Sequence, residues 1–158
     1  MSGASGGSVE RVRAALLAHG HPDTILAFPA GTRTAADAAA AIGCEVAQIA
    51  KSIVFRAGDR AAVVVISGAL RVDQKKAEAA LGTALGRADA DWVRAATGFA
   101  VGGVAPVGHI APPLLLLDQG LLELNPVWAA AGSPSHVFRT TAQELARMTG
   151  AMVVRVAT

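Results

Sequence analysis

The chain has 158 residues, the usual size of one domain, and 53% of them are hydrophobic, far more than a disordered chain carries. The formal net charge is +2, from 14 Lys and Arg against 12 Asp and Glu, which is too mild for tight nonspecific binding along a duplex. Aromatics make up 4% with no Tyr, which argues against a base-stacking platform of several rings, and the single Cys44 excludes an internal disulfide or a four-cysteine metal site.

In chain order, Met1–Gly7 is small and polar, without the apolar core of a signal peptide, and reads as a disordered tail before a single domain over residues 8–158. Val9, Val12, Leu16 and Leu17 repeat at helical spacing after Ser8 and predict a helix ending near Gly20. Thr24 to Phe28 reads as a short strand. Thr34 and Asp37 have capping-box spacing and open an alanine-rich helix that stops at Gly43. Glu45 to Ala50 reads as a short helical segment. Ser52–Arg56 and Ala61–Ser67 are rich in Val and Ile and flank Ala57-Gly58-Asp59-Arg60, the pattern of a β-hairpin.

Asp73 caps a helix to about Leu81, and Asp89 or Asp91 begins another that ends by Gly98. Phe99 to His109 is glycine-rich and irregular. Leu114–Leu117 is a buried strand, far too short to span a membrane. Val127–Ala131 and His136–Arg139 form a second antiparallel pair. Thr141 and Glu144 make another capping box before a helix through Met148, and Met152–Val156 closes as a strand. The interspersed elements and the hairpins predict an α/β (α+β) fold: a mixed, mainly antiparallel sheet with helices around it.

Three segments could carry chemistry. In Thr97 to His109, glycines let the backbone approach a ligand and present N–H groups, and Pro106 stiffens the loop; an ordinary surface turn has the same composition. Lys51, at the start of a buried strand, either binds a phosphate or polarises an ester oxygen, or is a solvated strand-end lysine. Gly132-Ser133-Pro134-Ser135-His136 is a tight connection whose histidine is a proton carrier, a substrate ligand or a structural residue. No metal site is expected: His109 and His136 lack a close third ligand. The one G-x-S-x-G, Gly3–Gly7, sits in the expected tail and not at a strand-to-helix turn, so no nucleophile elbow supports a Ser–His–Asp triad.

Taken in order, these segments resemble the YbaK/prolyl-tRNA synthetase-associated editing family. The resemblance runs from about Val9 to Val156 and rests on Thr34–Gly43, Gln48–Phe55, Val72–Lys76, Thr97–His109 and Asp118–His136. It implies a compact fold with a largely antiparallel, barrel-like sheet, and hydrolysis of the ester between a wrong amino acid and the terminal adenosine of a tRNA, usually the tRNA for proline. It implies catalytic roles for Lys51 and for the backbone at Gly102 and Gly103. It implies substrate contacts at Val104, Pro106, Gly108 and His109, and at Gly132, Ser133, Ser135 and His136.

An aminoacyl ester is already activated, so placement of water or a ribose hydroxyl and oxyanion donors suffice without a strong nucleophile. No cofactor is expected. The expected partners are a mischarged tRNA acceptor end and a synthetase, with no membrane or DNA, in the cytoplasm. A small pocket admits Ala, Cys, Ser or Thr. A non-catalytic RNA-binding or regulatory module of the same fold is the alternative.

Overall fold

A computed structural model describes residues 4–28 and 34–158. Of the tail expected over residues 1–7, the first three lie outside the described residues, and the rest belong to helix α1 (Ala4–Ala18). Tertiary packing explains the earlier start. Ser8 and Val9 are buried, and a Cβ built on Gly132 would lie 2.7 Å from the Ser8 backbone.

The elements that follow are β1 (Ile25–Ala27), α2 (Ala35–Ile42), β2 (Ile49–Ala57), β3 (Arg60–Ser67), α3 (Gln74–Leu81) and β4 (Gly86–Arg87). Then come α4 (Ala90–Thr97), β5 (Leu114–Asp118), β6 (Val127–Ser133), β7 (His136–Thr140), α5 (Ala142–Thr149) and β8 (Met152–Val154). The strands form one sheet in the order β1-β7-β6-β2-β3-β5-β8, with β4 also on β2. Four of its seven pairings are antiparallel and three parallel, so the sheet is mixed, as expected.

Local chemistry sets the boundaries. Thr34 and Asp37 form the reciprocal capping box, and Gly43 ends α2 in the left-handed conformation at φ 85°. Asp73 and Asp89 cap α3 and α4. The β2–β3 hairpin turns tightly on Gly58, at φ 65°, and Asp59, with Ala57 paired to Arg60. Thr141 accepts from the Glu144 N–H, but the Glu144 carboxylate turns to Arg147, at 2.7 and 2.9 Å, instead of closing the expected box.

The expected helical segment over 45–50 is a 3₁₀ turn, Val46–Gln48, and Ile49 and Ala50 already belong to β2. Their pairing with Trp128 and Ala129 of β6 extends the strand backwards. Along that edge β2 meets β6 at residues 49–50 and β4 at 55–56. Residues 51–54 between them have no strand partner on that edge among the described residues.

Apolar layers cover both faces. Val63, Val65, Leu117, Ala129 and Phe138 pack with α1, α4 and α5 in the larger core, while Ala62, Val64 and Leu116 pack with α3 on the other side. A third, small cluster joins Ala38 and Ala39 of α2 to Ile49, with Trp128 against it. No helix among the described residues is long and apolar enough to cross a membrane.

Candidate active site

The interrupted edge of β2 opens into a cavity of about 570 Å³. Ala35 and Ala38 of α2, with Val46, Ile49 and Trp128, give it an apolar wall. Lys51, Gly102, Ser133 and His136 line the same cavity. No Asp or Glu is among the lining residues described.

Lys51 is the third residue of β2, opposite the fully buried Ile66. Strand alternation puts it on the face of Ile49 rather than of Ala50. It has no salt bridge among the described residues. Burial, and then the charge of Arg71, push its ammonium below the ordinary lysine range. An unpaired cation in a cavity without carboxylates favours an anionic or strongly polarised oxygen as its ligand. Next to it, the Ser52 hydroxyl is buried without a hydrogen-bond partner among the described residues.

The glycine-rich segment after α4 is fastened at both ends. Thr97 Oγ1 donates to Val93 O at 2.6 Å and accepts from the Phe99 N–H at 3.0 Å. Arg11 of α1 donates to Gly98 O at 2.8 Å and Gly108 O at 2.9 Å, with its guanidinium 4.8 Å over the Phe99 ring. His109 lies behind the loop, not on the cavity. Its Nε2 is 2.7 Å from Ala105 O, and its ring meets Phe99 edge-on. Burial lowers the imidazole below the ordinary histidine range, the bond to Ala105 opposes this, and the Arg11 charge adds to it.

Among the loop residues singled out in the sequence, Gly102 and Val104 line the cavity, and Gly103, Pro106, Gly108 and His109 do not. Gly102 has φ 93° and its N–H makes no hydrogen bond among the described residues. Gly103 corrects the expectation of a second amide for the substrate. Its N–H donates to Ala100 O at 3.0 Å, closing the turn. The residue is glycine because its Cα faces the Ser133 backbone, where a Cβ would come within 2.7 Å.

From the other segment, Ser133, Pro134 and His136 line the cavity, whereas Gly132 and Ser135 support them. Gly132, at φ 95°, lets β6 pass against α1. Register shifts between Ala130 and Ser133, and Ser133 pairs with His136 across the turn. Ser133 is 3% exposed, and its Oγ lies 2.6 Å from His136 Nδ1 and 3.2 Å from Ser135 Oγ. It also accepts the Ser135 N–H at 3.1 Å.

Residues 29–148 match the model of the aminoacyl-tRNA editing domain. The chain belongs to that family. The curated relative YwhH of Bacillus subtilis (strain 168), an uncharacterized protein, is 30% identical over 139 residues, which is 87% of this chain and 88% of that one. A crystal structure of a proposed trans-editing enzyme for prolyl-tRNA synthetase is 44% identical, with TM-score 0.89, covering 96% of this chain and 97% of that one. The hypothetical protein APE2540 is 30% identical, with TM-score 0.87, covering 94% and 99%.

Within this editing domain, sequence reasoning missed Arg11, Ser52 and Trp128. Arg11 carried a signal, since it lies three residues from Ser8 and four from Ala15, on the buried side of α1. Trp128 and Ser52 carried none, because their place depends on which strands meet along β2.

Proposed function

We propose that this protein is a trans-editing aminoacyl-tRNA deacylase, acting in the cytoplasm on tRNA for proline that carries a small wrong amino acid. The observation that carries this reading is the meeting of Lys51, Gly102, Ser133 and His136 on one cavity, from three separate stretches of an editing-domain chain. The likeness to a proposed trans-editing enzyme for prolyl-tRNA synthetase supports the choice of tRNA and of a synthetase as companion.

Water, oriented by the vicinal ribose hydroxyl, attacks the ester carbonyl carbon. Negative charge develops on the carbonyl oxygen, the bond to the ribose oxygen breaks, and that oxygen takes the proton the attacking water gives up, which leaves the free amino acid and the tRNA hydroxyl. Lys51 stabilises the ester oxygen or the terminal adenosine, and the Gly102 N–H, which has no hydrogen bond among the described residues, serves as donor to the carbonyl. The alanine-rich wall leaves room for Ala, Ser, Cys or Thr side chains. One methylene is worth only about 1–3 kcal/mol of discrimination, so the correct amino acid must be excluded by shape.

The test is a panel of mischarged tRNAs with release of free amino acid measured for each. Rapid release from a small aminoacyl-tRNA-Pro, lost in Lys51→Ala, is expected. Binding without release would replace the enzyme with a non-catalytic RNA-binding module.

A further inference from the structure

The hydrogen bonds around His136 fix which of its ring nitrogens faces a ligand. Nδ1 is occupied by Ser133 Oγ at 2.6 Å, with Ser135 Oγ at 3.4 Å, and Nε2 has no partner among the described residues. Ser133 Oγ has one proton and two lone pairs to place. The Ser135 N–H takes one lone pair, at 3.1 Å. The separation of 2.6 Å suits an O–H···N bond better than an N–H···O bond, whose usual length is about 2.9–3.0 Å. With the hydroxyl proton on Nδ1, the second lone pair is left for the Ser135 hydroxyl at 3.2 Å and the ring proton sits on Nε2. The reverse network, with Nδ1–H donating to Ser133 Oγ and the serine proton going to Ser135 Oγ, satisfies the same groups, so the short separation is what favours the first.

We propose that Ser133 is a positioning residue that engages His136 Nδ1 and so directs the ring proton to Nε2, and that this N–H is a hydrogen-bond donor to the carbonyl oxygen of the bound ester. The proposal rests on the deacylase reading above. It makes His136 a partner of the Gly102 N–H rather than a general base, since Nε2 has no lone pair to accept a proton. The two segments are set against each other by contact, because Gly103 packs on the backbone of Ser133 with no room for a side chain. The donor arrangement is thus built into the folded chain before substrate arrives.

Two-bond proton–nitrogen correlation spectra of 15N-labelled protein read the tautomer directly, with the His136 signals assigned by their loss in His136→Gln. Nε2-protonated His136 is expected in the wild type, and a mixture of both tautomers in Ser133→Ala. Nδ1 protonation in the wild type overturns the proposal.

Kinetics give the second readout. Ser133→Ala is expected to lower kcat about tenfold with KM within about twofold, the mark of an interaction made in the transition state. His136→Ala should lose about 100-fold, the usual cost of one oxyanion donor, whereas His136→Gln, which keeps an N–H donor but cannot carry a proton, should retain most of the rate. A glutamine variant as slow as the alanine variant overturns the donor role. If the wild type releases amino acid from no tRNA, the deacylase reading and the donor role fall together. Nε2 protonation in the spectra would even then uphold Ser133 as the residue that fixes the ring.

Discussion

Gly103 lies directly on the backbone of Ser133: a Cβ added to it would meet Ser133 Cα at 2.7 Å and Ser133 N and C at 2.9 Å. The obstacle is main chain, which cannot rotate aside. Gly103→Ala is therefore expected to destabilise the fold by about 1–3 kcal/mol and to push the loop off the 132–136 segment. Chemical denaturation measures the first effect. The deacylation rate, falling further than stability alone explains, measures the second.

Lys51 gives the opposite pairing of effects. It bears a desolvation cost that no carboxylate offsets, and burial lowers its affinity for protons. Lys51→Met should lose at least about 100-fold in kcat/KM. Its melting temperature should be unchanged or higher, and a clear fall in stability would mean that the ammonium has a structural partner instead.

Arg11 joins helix α1 to both ends of the glycine-rich loop through the carbonyls of Gly98 and Gly108. Arg11→Ala should cost about 1.5–3 kcal/mol, the range for hydrogen bonds to a charged group. Amide hydrogen exchange over residues 98–108 should speed up first. Unchanged protection there would show that the loop holds itself.

His109 links stability to pH. Its folded-state pKa is lowered, chiefly by burial, so the unfolded chain takes up the proton first as pH falls through the ordinary histidine range of about 6.5. Its contribution is complete above that range and is lost progressively below it. The drop in melting temperature between about pH 7.5 and about pH 5.5 should be smaller in His109→Gln than in the wild type. Equal drops would place the acid sensitivity elsewhere.

Ser52 offers a simple stability test. Its hydroxyl is buried with no partner among the described residues, so Ser52→Ala removes an unmet desolvation cost. The variant should melt at the same temperature or slightly higher.

Much of the fold is legible where the chemistry is local. The Thr34–Asp37 box, the Gly58 turn and the aspartate caps of α3 and α4 are set by neighbours within a few residues. The parallel pairings of β3 with β5 and of β5 with β8 are not legible, because nothing in Leu114–Leu117 records which strand it will lie beside. Glu45–Ala50 misreads for the same reason: Ile49 and Ala50 become strand only through Trp128 and Ala129. At the site, Lys51 and the glycines stand out by type, but what Gly103 does there does not. A glycine that offers its amide and one that merely makes room look alike in sequence, and only the Ala100 carbonyl and the Ser133 backbone tell them apart.

The stretch of β2 from 51 to 54, without a strand partner between β6 and β4 among the described residues, gives the cavity one wall of sheet, while α2 and the segments around Gly102 and Pro134 give the others. On the sheet side the wall is held by the β2–β3 and β2–β6 ladders, and it cannot yield without breaking them. Room for a larger guest must therefore come from the helix and loop side, and selection by size is set there.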